Sequence, residues 1–236
     1  MCLSSTFKDA CIKEYGNCNT ANGIFLPKPV QDEYVATIEV CNGNCAFGID
    51  AVYCNKKVRP KDKVKKIKNK GKEVICIVLE SPHKDEYNPN NKPLGPAIST
   101  TGKNIKNHFI DMLNIAIKNK VVSLSDGEYP LLLVDAVSYQ CSNAKNLNKE
   151  ENRKKRDSVF LSVWGKGGKK NFLKRIEKYK PILIVNSCTG GMKNVDNEKS
   201  LKGKINEALV SAGYDEITVI SPHPSSSWFW RKGIKK

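Results

Sequence analysis

Four short apolar runs, at residues 74–79, 131–137, 182–185 and 217–220, constrain the fold of this 236-residue chain more than any other feature. A bilayer crossing takes about 20 apolar residues, so none of these runs spans a membrane. Each is almost continuously apolar rather than alternating, which is the pattern of a strand covered on both faces. Between them the apolar period turns helical. Ile105, Phe109, Met112, Leu113, Ala116 and Ile117 share one face of a helix that Thr101 is placed to cap. Phe172, Leu173, Ile176 and Tyr179 mark a second helix, stopped before Pro181. Ser200 is placed to cap a third, with Leu201, Ile205, Leu209 and Ala212 inward and Gly213 as its terminator. Buried strands alternating with amphipathic helices predict an α/β fold, a three-layer α/β/α sandwich around a central, mainly parallel four-stranded sheet.

Before residue 73 the pattern is looser. Residues 1–55 are polar and rich in Cys, Asn and Gly, with one clear strand-like stretch at 34–40. Residues 56–72 form a basic block, from Lys56, Lys57 and Arg59 through to Lys72, of the kind that serves either as a solvated face or as an interaction arm. The expected organisation is therefore 1–72, a Cys-rich extension and basic segment packed on or linked to the core, and 73–236, an α/β domain. Six of the nine cysteines crowd the first 54 residues. Cys41-x3-Cys45, with Cys11, Cys18 and Cys54 nearby, misses the Cys-x2-Cys spacing of a strong metal site, so reduced thiols and no metal or other cofactor are expected. The N-terminus has no basic cluster followed by an apolar stretch, hence no secretory signal, and a cytoplasmic address follows. The net charge of +16 suits a polyanionic partner, because neutralised phosphates release counterions, although lysine also serves solubility. A nucleic acid is therefore the expected partner, with no membrane and no obligatory protein partner.

Open α/β sheets bind ligands beyond the carboxyl ends of their strands. Glu80-Ser81-Pro82-His83 follows the first run, and Ser221-Pro222-His223-Pro224-Ser225-Ser226-Ser227-Trp228 follows the fourth. Two of the chain's three histidines thus stand in a Ser-Pro-His triplet at a strand's end. Histidine titrates near neutrality and donates to a developing anion in either protonation state. Small hydroxyl residues beside it let a phosphate backbone approach.

These residues resemble the uracil-DNA glycosylase superfamily over about residues 73–231. His223-Pro224-Ser225, behind an apolar strand and ahead of Ser226, Ser227 and Trp228, is similar to the family's His-Pro-Ser motif with its wedge. Val78-Leu79-Glu80-Ser81-Pro82-His83 resembles the first motif, a strand opening into a Pro-centred loop. Gly95-Pro96-Ala97-Ile98-Ser99 is similar to the pocket-lining segment, and residues 131–137 to the strand that bears the base-reading side chain.

The resemblance implies a DNA glycosylase whose partner is double-stranded DNA, flipping a nucleotide out of the helix and hydrolysing its N-glycosidic bond. It implies Glu80, Ser81, His83 and His223 as the catalytic set, with Asp85 and Glu86 as further candidates to assist Ser81. Asp135, Ile98 and Ser99 would read the base. Ser225, Ser226, Ser227, Trp228, Phe229 and Arg231 would hold the DNA, unless the Trp228-Phe229-Trp230 aromatics simply pack the C-terminal segment. Asp135 stands where relatives usually have Asn. As a carboxylate it only accepts, which suits the exocyclic amine of cytosine better than uracil; in an alternative register Val134 takes that position. The expected substrate is a modified cytosine, such as glucosylated hydroxymethylcytosine in phage DNA, excised in antiphage defence. The alternatives are a repair enzyme for uracil or another deaminated base, and a DNA-binding α/β domain without catalysis.

Overall fold

A computed structural model describes residues 3–15, 29–48, 72–88, 92–141, 150–190, 200–226 and 233–236. The fold is α/β. Among the described residues its sheet has six strands and is mixed, which corrects the expected four-stranded one. Strands β1 (Glu33–Cys41), β2 (Asn44–Phe47), β3 (Val74–Leu79), β4 (Gly127–Asp135), β5 (Pro181–Asn186) and β6 (Thr218–Ile220) lie in the order β2-β1-β4-β3-β5-β6. β4, β3, β5 and β6 are parallel, as the four apolar runs predicted. β1 adds to β4 antiparallel and carries β2 as a hairpin at the edge. Residues ahead of position 73 therefore build a third of the sheet. Their short, half-polar strands lack the continuous apolar run that marks a central strand.

β3 shows why its sequence is unbroken Val-Ile-Cys-Ile-Val-Leu: all six residues are buried, and alternate ones enter different cores. Val74, Cys76 and Val78 meet helices α1 (Leu3–Tyr15), α3 (Glu150–Val163), α4 (Lys169–Tyr179) and α5 (Leu201–Ser211) through Phe7, Phe160, Phe172 and Ile205. Ile75, Ile77 and Leu79 meet α2 (Thr100–Lys118) through Ile105, Phe109, Met112 and Leu113. Each such side chain contributes about 1.5–3 kcal/mol on burial. Cys11 and Cys45 fall into these two different cores, on opposite faces of the sheet, so they do not belong to one metal cluster. No helix among the described residues is long and apolar enough to cross a membrane.

Local details follow the sequence in part. Ser200 Oγ accepts from the Gly203 N–H at 3.2 Å and caps α5, and Gly213 turns the chain away at φ +83°. Ala212 is exposed, however, and Ala208 takes the expected inward place. Thr101 does not cap α2. The cap position belongs to Ser99, whose side chain makes no capping bond, and Thr101 is buried inside the first turn. Neither α1 nor α3 was expected. α1 buries only the short stripe Thr6, Phe7, Ala10 and Cys11, and α3 conceals its inner face behind buried charges.

Candidate active site

The two Ser-Pro-His segments fold into the same turn. In one, the Asp85 N–H donates to His83 Nδ1 at 3.2 Å and the Glu86 N–H to the His83 carbonyl at 2.9 Å. In the other, the Ser225 N–H donates to His223 Nδ1 at 3.2 Å and the Ser226 N–H to the His223 carbonyl at 2.8 Å. A proline ahead of each histidine fixes the chain's entry, and the imidazole caps its own turn. The turns leave β3 and β6, which are not neighbours: β5 runs between them. They nevertheless converge. His83 and His223 line one cavity of about 270 Å³, together with Leu79, Glu80, Ser81, Pro82, Thr189 and Arg156. Ser99, Thr100 and Thr101 supply the opposite wall from the start of α2. The volume is at the small end of ligand sites, which run from about 300 Å³ upwards.

Three contacts fix these loops relative to one another. Asn104 of α2 donates to the Pro224 carbonyl at 2.6 Å. Glu86 Oε1 accepts from the Ala97 N–H at 2.8 Å, tying the first turn to the 95–99 loop. The Ser187 and Ser221 hydroxyls meet at 2.6 Å and join the ends of β5 and β6.

At the centre is Glu80, only 7% exposed. Arg156 Nη1 donates to its Oε1 at 3.0 Å, and the Thr189 N–H to its Oε2 at 2.6 Å. Arg156 is held in turn by Asp157, with Nε 2.8 Å and Nη2 2.6 Å from Oδ1. Burial pushes the Glu80 carboxyl up, but Arg156, His223 and the Thr189 bonds outweigh it and leave it below its ordinary value. Burial also lowers His223, against the pull of Glu80 and with the help of Lys202, Arg156 and His83. His83 is lowered by burial too, although Asp85 pulls it the other way. The site therefore holds an anionic Glu80 and a neutral His223 together at pH 7.

Sequence reasoning named Glu80, Ser81, His83, His223, Ser99 and Ser225, and the structure brings all six to this cavity. Asp135 and Ile98 are buried, 2% and 4% exposed, but are not among the described residues that line it. Burial raises the Asp135 carboxyl well above the ordinary range, and the nearby Asp32 carboxylate adds to this, only partly offset by Arg175. Ser226 lines an adjoining cavity of about 500 Å³, which shares Thr189, His223 and Ser225 with the first and also holds Lys202 and Lys235. Ser227, Trp228, Phe229 and Arg231 lie outside the described residues. The contribution of Arg156 was missed: in the run Lys154-Lys155-Arg156-Asp157 nothing distinguishes it from a solvated face.

No family model, curated protein or solved structure matches this chain. Its chemistry has to be read from the cavity itself.

Proposed function

We propose that this chain is a DNA glycosylase of the uracil-DNA glycosylase type, hydrolysing the N-glycosidic bond of an extruded nucleotide. The observation that carries this reading is the meeting of His83, His223 and Glu80 around one small cavity beyond the strand ends. With Nδ1 taken by its own turn, neutral His223 keeps its proton on Nε2, where it can donate to a base. As the glycosidic bond stretches, negative charge grows on the base and positive charge on the sugar. His223 donates to the first, and the fixed Glu80 anion faces the second. Water then adds to the sugar carbon as the base departs, and the proton released from the water passes to the base or to solvent. Ser81 and Glu80 are the cavity groups suited to orient that water. The adjoining cavity, with Lys202, Lys235, Ser225 and Ser226, offers cations and hydroxyls to the strand that carries the nucleotide.

A modified cytosine, such as glucosylated hydroxymethylcytosine, is the proposed substrate: the adjoining cavity shares Thr189, His223 and Ser225 with the first and offers room for an appended group beside the strand. Abasic sites left at every such base would block replication of invading DNA, an antiphage role. The small first cavity, which suits a base without an appended group, favours a second reading, removal of uracil.

The test is release of bases, followed by mass spectrometry and by alkaline cleavage, from duplexes carrying cytosine, uracil, hydroxymethylcytosine or its glucosylated form. Wild-type protein is expected to cut one modified duplex and His223→Ala to cut none. Tight DNA binding without release of any base would instead make the chain a non-catalytic DNA-binding domain.

A further inference from the structure

We propose that Arg156 is a positioning residue, whose guanidinium fixes the Glu80 carboxylate in one orientation on the wall of the cavity shared by His83 and His223. The inference rests on the glycosylase reading for its kinetic consequences, but its geometry stands apart from it. Arg156 comes from α3, an element that carries neither histidine turn, and it is 4% exposed. A buried arginine is costly unless its charge is met and its donors are satisfied. Here Nε and Nη2 are spent on the adjacent Asp157, which leaves Nη1 aimed at Glu80 Oε1, 3.0 Å away. Asp157 thus acts as a splint: it orients the fork so that one prong reaches the carboxylate. The Thr189 N–H takes the other oxygen at 2.6 Å, so Glu80 is gripped at both ends by groups from α3 and from the loop after β5. Glu80 and Arg156 both line the cavity, whereas Asp157 is not among the described residues that do.

Other titratable groups surround Glu80. His223 and Lys202 on α5 favour its anion, whereas Asp135 at the end of β4 and the thiols Cys141 and Cys188 are themselves raised by its charge. Arg156 is the largest of the favourable influences. Without it the proton on Glu80 would be held more tightly, and the carboxylate would be free to rotate away from the sugar.

The experiment compares wild type, Arg156→Gln and Arg156→Lys. The pH dependence of kcat on a duplex that the wild type cuts is measured alongside the Glu80 carboxyl carbon, followed by NMR in the free protein. In Arg156→Gln the Glu80 titration and the acid limb of kcat should both move to higher pH, by about 1–3 units, the usual effect of one adjacent opposite charge. At neutral pH kcat should fall about 100-fold while KM changes less than about threefold, because the loss is felt in the transition state. Arg156→Lys keeps the charge but not the fork; it should give an intermediate limb and partial recovery of kcat, and it decides the matter alone if Arg156→Gln does not fold. A purely structural role predicts lower melting temperatures with the limb and the Glu80 titration unmoved in both variants, and that result overturns the proposal. If the wild type releases no base from any duplex, the glycosylase reading fails. The NMR titration then still judges the clamp: a raised Glu80 in the variants upholds it, and an unmoved one ends it.

Discussion

Ser225 donates its backbone N–H to Nδ1 of His223 at 3.2 Å, and its hydroxyl lies 2.8 Å from the same nitrogen. A nitrogen that accepts from a main-chain amide carries no proton, so a neutral His223 has its hydrogen on Nε2. His83 makes the same turn with one difference. The Asp85 carboxylate sits 3.4 Å from its Nδ1. Burial lowers both imidazoles, against the pull of Asp85 on His83 and of Glu80 on His223.

The first consequence concerns His223 and pH. Because its folded value lies below the ordinary value of about 6.5, the neutral donor should persist as pH falls through 6.5 and be lost only below it. Long-range proton–nitrogen NMR is expected to report the Nε2–H form at pH 7. Replacing His223 with Ala should cost about 10²–10³ in kcat, the loss typical of one donor to a developing anion. A cationic His223 at pH 7 would contradict the proposed role.

Asp135 gives a test through stability. Its folded value is raised, so its contribution is fully present below the unfolded value of about 3.9 and is lost as pH rises through the folded value. Asp135→Asn has the shape of the neutral acid and nothing to ionise. Thermal melts should show the two proteins close together near pH 4, with the variant gaining on the wild type as pH rises towards 8. A difference that does not change with pH would mean that Asp135 is ionised in the fold.

Arg175 holds the N-terminal segment to the sheet. It forks onto Asp32, which Tyr179 also contacts at 2.8 Å, and donates to the Asp135 carbonyl at 2.6 Å. The side chain of Asp32 is only 3% exposed. Arg175→Ala leaves that carboxylate buried without its cation and should cost about 3–5 kcal/mol in urea unfolding. Asp32→Asn combined with Arg175→Met should recover much of the loss.

The turn between α3 and α4 supplies a packing test. A Cβ on Gly168 would lie 2.7 Å from the Val163 carbonyl oxygen, whereas one on Gly165 meets nothing within 4 Å. Gly168→Ala should therefore destabilise by about 1–3 kcal/mol. Gly165→Ala should be neutral or mildly stabilising in the same denaturant titration.

Legibility along the chain followed the range of the forces involved. The four parallel strands could be read from residues 74–79 and their counterparts, because a strand covered on both faces must be apolar throughout. The antiparallel β1–β2 edge was half hidden: only 34–40 had the look of a strand, and nothing local says that Ala36 pairs with Leu131. α3 was invisible because Arg156 and Asp157, which read as surface, are buried and satisfy each other. The capping role expected of Thr101 failed because the helix starts at Thr100 with Ser99 at the cap, which leaves Thr101 buried inside the first turn.

The sequence by itself determined the α/β class, the strand ends and the two Ser-Pro-His turns, since apolar runs, prolines and a capping imidazole act over a few neighbouring residues. Only the tertiary structure decided that these turns meet across an intervening strand, that Arg156 from a distant helix grips Glu80, and that burial beside Asp32 raises the Asp135 carboxyl. Those outcomes depend on which groups are brought together out of water, and the strength of a charge in a protein is set by surroundings that no stretch of sequence contains.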